Sequence, residues 1–491
     1  MRYADLAVII AYLAGITWFG ARFRHGQKSL RDYFLGGRNA PWWAIALSIV
    51  SAETSTLTII GTPTLAFTGN LGFLQVVLGY LLARIVISAL FLPHYFRGEM
   101  FTAYELMQVR FGPRIRKLTA ATFLVVRAFA EGVRVFAVSI VISIVLGTGE
   151  LVSIILIVLL TLFYTFEGGM TAVIWTDVVQ MCLYVLGAAV SFFVILQQIP
   201  GGWSHVVAVA APLGKFRVFD FGAGPATAFF SKTYSFWAGL IGGCFLTTAS
   251  HGTEQLMVQR LLAARSERES RAALFGSWLV IFFQFGLFLL IGVALFVWYS
   301  GRSLPAPQPP DSLYPGFVWR HLPAGVAGLV VAAILAAAMS NLSAALNALA
   351  STTVIDFIRP ARNRRRDRPA EGQSDAADLK LARGATVVWG GVLLLIGTLA
   401  RHWGPVLEAG LTIASIAYGG LLGVFLLGLL PRRVSETAAM AGMAAGVLAV
   451  AGVKVATSIA WTWYVAIGAS VTLLTALAVS LVTREGKRVP E

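Results

Sequence analysis

Long apolar runs follow one another along most of the chain, and this feature narrows the fold more than any other. A helix of about 20 apolar residues spans roughly 30 Å of hydrocarbon. No water reaches backbone N–H and C=O groups there, so a spanning segment has to satisfy them within itself. Thirteen runs meet this description, at 4–22, 42–67, 71–96, 118–147, 150–166, 172–198, 233–254, 272–300, 323–356, 384–400, 405–430, 435–456 and 461–483. The expected fold is an all-α polytopic membrane protein with about 13 transmembrane helices. Only 12% of the residues are charged and 57% are hydrophobic, so the spans are the fold itself and not an anchor. Cys182 and Cys244 fall inside spans, where they read as small buried hydrophobes and not as disulfide partners.

The formal net charge of +15 would suggest nucleic acid in a soluble chain. Its distribution gives another meaning. Loops on one side of the expected membrane carry 27 Lys and Arg, against 7 on the other, and Arg84, Arg127, Arg134 and Lys454 lie within spans. The positive-inside rule places the basic side in the cytoplasm, with the N-terminus outside and the C-terminus inside. The excess charge is topology, and no nucleic-acid partner is expected. The polar segment Arg359–Lys380 lacks apolar periodicity and reads as a flexible basic cytoplasmic loop, an anchor that faces membrane lipid.

Polarity inside the spans is concentrated. "SAETSTLTIIGTP", Ser51 to Pro63, places a carboxylate, six Ser/Thr hydroxyls and a Gly-Thr-Pro breaker in the middle of the second run. The seventh run, "YSFWAGLIGGCFLTTASHGTE", has a Gly-Gly pair followed by Thr247, Thr248, Ser250, His251 and Gly252. Interrupted helices survive in hydrocarbon only where they are buried or line a cavity. Gly, Ser and Thr also serve plain helix packing, but these two spans, the second and the seventh, stand five positions apart in the order of spans. Each therefore opens a candidate five-helix repeat, 42–198 and 233–430, and an odd number of spans per repeat makes the two inverted. Paired discontinuous helices in such a core build a substrate site near the midplane. Outside the core lie a first helix and loop (1–41), an extracellular loop (199–232), the basic loop (358–383) and two further helices with a tail (431–491).

Charges within hydrocarbon cost about 2.5–3.5 kcal/mol each on insertion scales, so they face partners or water. Arg127, Glu131 and Arg134, at i, i+4 and i+7, share one helical face and can neutralise one another. Glu53 and Asp177 have no basic neighbour within their own helices. A bound cation is one partner for either; Arg127 or Arg134 across an interface is the other. Ser340, Ser343 and Asn347 follow i, i+3, i+7 spacing with Asn341 beside them, an oxygen-bearing edge suited to a hard monovalent cation. No GxxxxGK[ST], HExxH or CxxC occurs and the six histidines are scattered, which counts against ATP-driven transport, a transition-metal site and an enzyme.

Four segments carry a resemblance. "YTFEGGMTAVIWTDVVQ" (Tyr164–Gln180) resembles the signature of the sodium/solute symporter family, which includes sodium–glucose, sodium–proline and sodium–iodide carriers. "DYFLGGRNAPWW" (Asp32–Trp43), "TEQLMVQRLLAARSERESRAAL" (Thr253–Leu274) and "AAAMSNLSAALNALASTTVIDF" (Ala336–Phe357) look like that family's elements before the first, after the sixth and in the eighth core helix. The resemblance implies an inverted five-plus-five repeat core with two discontinuous helices. It also implies sodium-coupled symport of a small polar solute across the plasma membrane. By the same resemblance, carbonyls of Ser51 and Thr54, the Ala337 carbonyl and oxygens of Ser340 and Asn341 form the main sodium cage. Asp177, with Ser340 and Ser343, matches a second sodium site found in some members. Thr247 and Ser250 stand where the sugar-binding branch has an Asn and a gating Tyr, and no lysine occurs in Ser277–Ser300, so that branch's sugar contacts are not expected here, and a sugar would have to be held by other polar residues. The solute is expected near Thr58, Gln75, Thr247 and Ser250, with Glu53 facing it or an Arg on a neighbouring helix. The rival readings are proton coupling through Glu53 or Asp177, and a non-transporting sensor on the same fold.

Overall fold

The computed structural model describes residues 3–22, 38–97, 103–164, 170–222, 226–358, 374–431 and 434–482. The helices that concern the site are α1 (Tyr3–Ala21), α2 (Trp42–Glu53), α3 (Thr56–Thr68), α4 (Leu74–Val86) and α5 (Pro113–Leu146). They continue with α6 (Glu150–Tyr164), α7 (Met170–Gln197), α8 (Phe236–Gly252), α9 (Gln255–Leu262) and α10 (Glu267–Ser300). The last are α11 (Leu313–His321), α12 (Val326–Thr352), α13 (Ser374–Ala400), α14 (Val406–Leu429), α15 (Glu436–Ala456) and α16 (Tyr464–Val482). Among the described residues eight helices are long and apolar enough to cross a membrane, and the bent pair α2–α3 adds a ninth span. Shorter apolar helices at Tyr3–Ile16, Glu150–Leu159 and Gly384–Ala400, with the 17-residue α8, occupy the remaining expected positions.

Local chemistry sets several helix starts. Ser266 accepts the Glu269 N–H in front of α10, whose first turn also holds Glu267, and Ser435 accepts the Ala438 N–H in front of α15. Such caps satisfy N–H groups left over at a helix start, and acidic residues there complement the dipole. The Asp5 carboxylate accepts the Gly325 and Gly328 N–H groups at 2.7 and 2.8 Å, fastening α1 to the start of α12.

The first expected interruption is present. Thr54 and Ser55 leave helical geometry (ψ 88° and 174°), and α2 and α3 diverge by 66°. The second lies elsewhere than at the Gly-Gly pair, because α8 runs unbroken through Gly242 and Gly243 and the chain turns only at Thr253–Glu254. The glycines serve contact. A Cβ on Gly243 would stand 2.3 Å from the Val76 carbonyl oxygen, one on Gly79 would stand 2.5 Å from that of Leu240, and one on Gly242 would stand 2.3 Å from that of Thr462. Helices α4 and α8 therefore touch backbone to backbone, the small-residue packing that hydrocarbon favours.

The two candidate repeats interleave in space. α4 packs on α8, α3 on α10, and α5 on both α13 and α14, while α2 lies between α7 and α10. α15 and α16 pack on α14 outside this core. One boundary and one burial differ from expectation. Ser374–Arg383, read as loop, form the first turns of α13, because the helix runs beyond its apolar stretch. Cys182 is exposed and Cys244 half-buried, because Cys182 lies on the outward side of α7. Residues 359–373 of the basic loop, the tail 483–491 and parts of two family-like segments (32–37 and 165–169) lie outside the described residues.

Candidate functional site

The site begins at the break between α2 and α3. Thr54 N–H donates to the Val50 carbonyl at 2.8 Å, but no described backbone N–H donates to the carbonyls of Ser51, Ala52 or Thr54. Carbonyls at a helix end seek other partners, and in an apolar interior they seek them strongly. Ser51 and Thr54 are both buried, and the Thr54 hydroxyl accepts a hydrogen bond from Gln284 of α10 at 2.6 Å. From α12, Ala337 is buried and Asn341 reaches the cavity described next, while Ser343 is half-buried. The side chains of Ser340 and Asn347 lie outside the described residues.

A cavity of about 170 Å³ adjoins the break. Glu53, Ser55 and Thr58 line it from α2 and α3, Thr247, Ser250 and His251 from α8, and Asn341 from α12, with Phe73, Phe285 and Leu407 among its apolar walls. It extends past Arg127, Arg134 and Glu254 to Arg260, towards the face that carries the basic segment 260–271. Thr58, Thr247, Ser250 and Glu53 thus share one space. Gln75 does not join them. Its amide donates to the carbonyls of Gly72 and Tyr234 and accepts the Asp220 N–H, so it braces the entry to α8 against α4.

Glu53, Arg84, Arg127 and Asp177 each have a charged partner from another helix. Glu53 meets Arg84 of α4 at 3.0 Å and His251 Nε2 at 3.2 Å. Arg84 is 0% exposed and also donates to the carbonyls of Leu274 and Tyr80. Arg127 lies 2.9 Å from Glu131 and 2.8 Å from Glu254, Arg134 pairs with Glu131, and the Tyr418 hydroxyl donates to Glu254 at 2.7 Å. The helical charge ladder is therefore present and extended by Glu254. Asp177 accepts from Ser48 at 2.6 Å and from Arg260 of α9 at 3.0 Å. Neither Arg127 nor Arg134 is its partner. By sequence Arg260 falls among the loop charges, and the signal that distinguishes it is its place about two turns past the chain break, in the short amphipathic helix α9.

Two carboxylates sit in the connections outside the spans. Burial pushes the Asp311 carboxyl up to about 6, partly offset by the Val406 N–H that donates to it. The Lys232 ammonium that donates to Asp220 holds that carboxyl below its usual range. Both charges pin connections onto the helix ends.

Comparison with known proteins follows this geometry. The model of the "Sodium:solute symporter family" matches residues 33–446. The chain is 28% identical over 460 residues to the sodium/iodide cotransporter of Homo sapiens, covering 90% of this chain and 68% of that one. It is 28% identical over 463 residues to the sodium-coupled monocarboxylate transporter 2 of Bos taurus, covering 91% and 71%. A solved substrate-bound, outward-open Na+-coupled sialic acid symporter superposes with a TM-score of 0.83 at 26% identity, covering 99% of both chains.

Proposed function

The chain belongs to the sodium:solute symporter family, and on that premise we propose which of its residues hold the ion and the solute. The protein is a multi-pass sodium-coupled symporter of a small solute, and its relatives are transporters and not enzymes. One sodium ion binds at the break, held by the Ser51 and Thr54 carbonyls, the Ala337 carbonyl and oxygens of Ser340 and Asn341. The solute, a small polar organic molecule, lies beside it between Thr58 on one hand and Thr247 and Ser250 on the other. A second ion at Asp177 and Ser343 would compete with Arg260 and Ser48, which already engage Asp177, so the reading adopted is a single sodium. The basic face lies in the cytoplasm, which puts the N-terminus outside the plasma membrane, and the two five-helix repeats, 42–198 and 233–430, rock about the site.

The observation that carries this reading is the run of carbonyls at the break without backbone partners, next to a cavity lined by hydroxyls. A hard monovalent cation is satisfied by such neutral oxygens. Inward movement of one charge yields about 2.3 kcal/mol per 100 mV, before any concentration gradient is added. Coupling follows if sodium has higher affinity for the conformation that holds the solute, since a ligand indifferent to the two states shifts neither.

The test is uptake by the purified protein in liposomes under an inward sodium gradient, with potassium as control. A panel of labelled sugars, amino acids and carboxylates serves as cargo. Accumulation that persists at fixed pH without sodium would remove this reading in favour of proton coupling. In the same assay Ser340→Ala is expected to weaken sodium activation more than it lowers protein yield.

A further inference from the structure

Three side chains, Glu53 and His251 at the cavity and Arg84 behind them, fix the direction of the Ser250 hydroxyl proton. Arg84 is 0% exposed, and its Nη2 donates to Glu53 Oε2 at 3.0 Å, so that oxygen is an acceptor. His251 is 2% exposed and presents Nε2 to the same carboxylate oxygen at 3.2 Å. Two lone pairs facing each other would repel, so Nε2 carries the proton. In the neutral imidazole the other nitrogen, Nδ1, then offers a lone pair, and Ser250 Oγ stands 2.8 Å from it. The single Ser250 proton goes to Nδ1, because the alternative acceptor, the Thr247 carbonyl, is farther at 3.4 Å. Ser250 lines the cavity with its lone pairs alone.

We propose that the Arg84–Glu53–His251 relay fixes Ser250 as a hydrogen-bond acceptor towards the cavity, and that the transported solute carries a hydroxyl or ammonium donor that meets it. This rests on the placement of the solute beside Ser250 given above. His251 is a positioning residue that acts through Ser250, and Ser250 is the specificity-determining one. The inference separates hydroxy acids, polyols and amino acids from donor-free anions such as halides and simple carboxylates.

The experiment uses matched competitors of sodium-driven uptake in proteoliposomes: lactate against propionate, 3-hydroxybutyrate against butyrate, deoxy sugars against their parents, and iodide. The donor-bearing member is expected to compete about tenfold more strongly, the worth of one hydrogen bond of about 1.4 kcal/mol. Ser250→Ala and His251→Leu are each expected to bring that ratio below about twofold, while sodium activation of the residual transport keeps its midpoint. A purely structural role for His251 would lower both members of each pair alike and leave the ratio unchanged, which overturns the proposal. Iodide or propionate competing as strongly as the hydroxylated probes in the wild-type protein overturns it too. Ser250→Ala removes one oxygen at a half-buried position and folds independently of how His251→Leu behaves. Loss of sodium dependence in the wild-type protein would remove the symport placement instead, so the two failures are distinguishable.

Discussion

The two chain breaks use one device in different ways. Glu53 closes α2 and pairs with Arg84 from α4; Glu254 precedes α9 and pairs with Arg127 from α5. At the first break the arginine is sealed from solvent, and helix carbonyls hold its remaining donors. At the second the arginine lines the cavity and divides itself between two carboxylates. Among the described residues Arg84 meets one carboxylate, while Arg127 meets two and keeps Glu131 if Glu254 is lost. A buried charge without its partner is far more costly than a shared one, so similar distances, 3.0 and 2.8 Å, conceal unequal consequences.

Four measurements would break or sharpen this contrast. Arg84→Met leaves Glu53 with His251 alone and should destabilise the protein by about 3–5 kcal/mol, read as the melting shift of detergent-purified protein. The double variant Arg84→Met with Glu53→Gln should recover most of that loss. A melting point equal to wild type would end the claim that the first pair is indispensable. Next comes Gly243→Ala, which drives a Cβ to within 2.3 Å of the Val76 carbonyl. An overpacking cost of up to about 3 kcal/mol is expected, where a flexible break would tolerate alanine freely.

The third concerns the outer arm of the first break. The Thr64 hydroxyl of α3 donates to the Pro310 carbonyl at 3.2 Å, and neighbouring Asp311 accepts the Val406 N–H at 2.9 Å. Burial raises the Asp311 carboxyl to about 6, above its unfolded value of roughly 3.9. The folded state therefore prefers the protonated acid. The penalty for ionised Asp311 is full above pH 6, shrinks as pH falls through that value and vanishes below about 4. This group should add on the order of 2 kcal/mol of stability between pH 7 and 4, and Asp311→Asn should flatten that slope in a pH series of melting curves. The smallest effect belongs to the second break. Glu254→Gln leaves Arg127 paired with Glu131 and should cost about 1.5 kcal/mol. A loss as large as that of Arg84→Met would show that the two breaks are braced alike.

What the sequence disclosed follows the reach of its periodicities. Apolar length revealed the spans, and a cluster of hydroxyls revealed the first break, because Thr54 and Ser55 sit where a plain membrane helix has no use for them. The Arg127–Glu131–Arg134 ladder was legible because all three stand on one helix at fixed spacing. Partners from other helices were not. Nothing local ties Glu53 to Arg84, 31 positions on, or Asp177 to Arg260, 83 positions on. The Gly-Gly pair misled because glycine is both flexible and small, and only the neighbouring helix decides which property is used. Gln75 misled likewise: a polar residue within a span serves a backbone as readily as a solute.

One stripe of α8 runs Gly239, Gly243, Thr247, Ser250, at spacings of four, four and three. Along its first half the helix is zipped to α4 with no side chain between them, and along its second half hydroxyls face open space. The depth of the cavity is thus set by where the zip stops. A small residue at Thr247 would draw it one turn further and shorten the chamber; a methyl at Gly243 would pull it back. A lineage that changed cargo size would need to edit only that boundary, while the rest of the helix kept its seat.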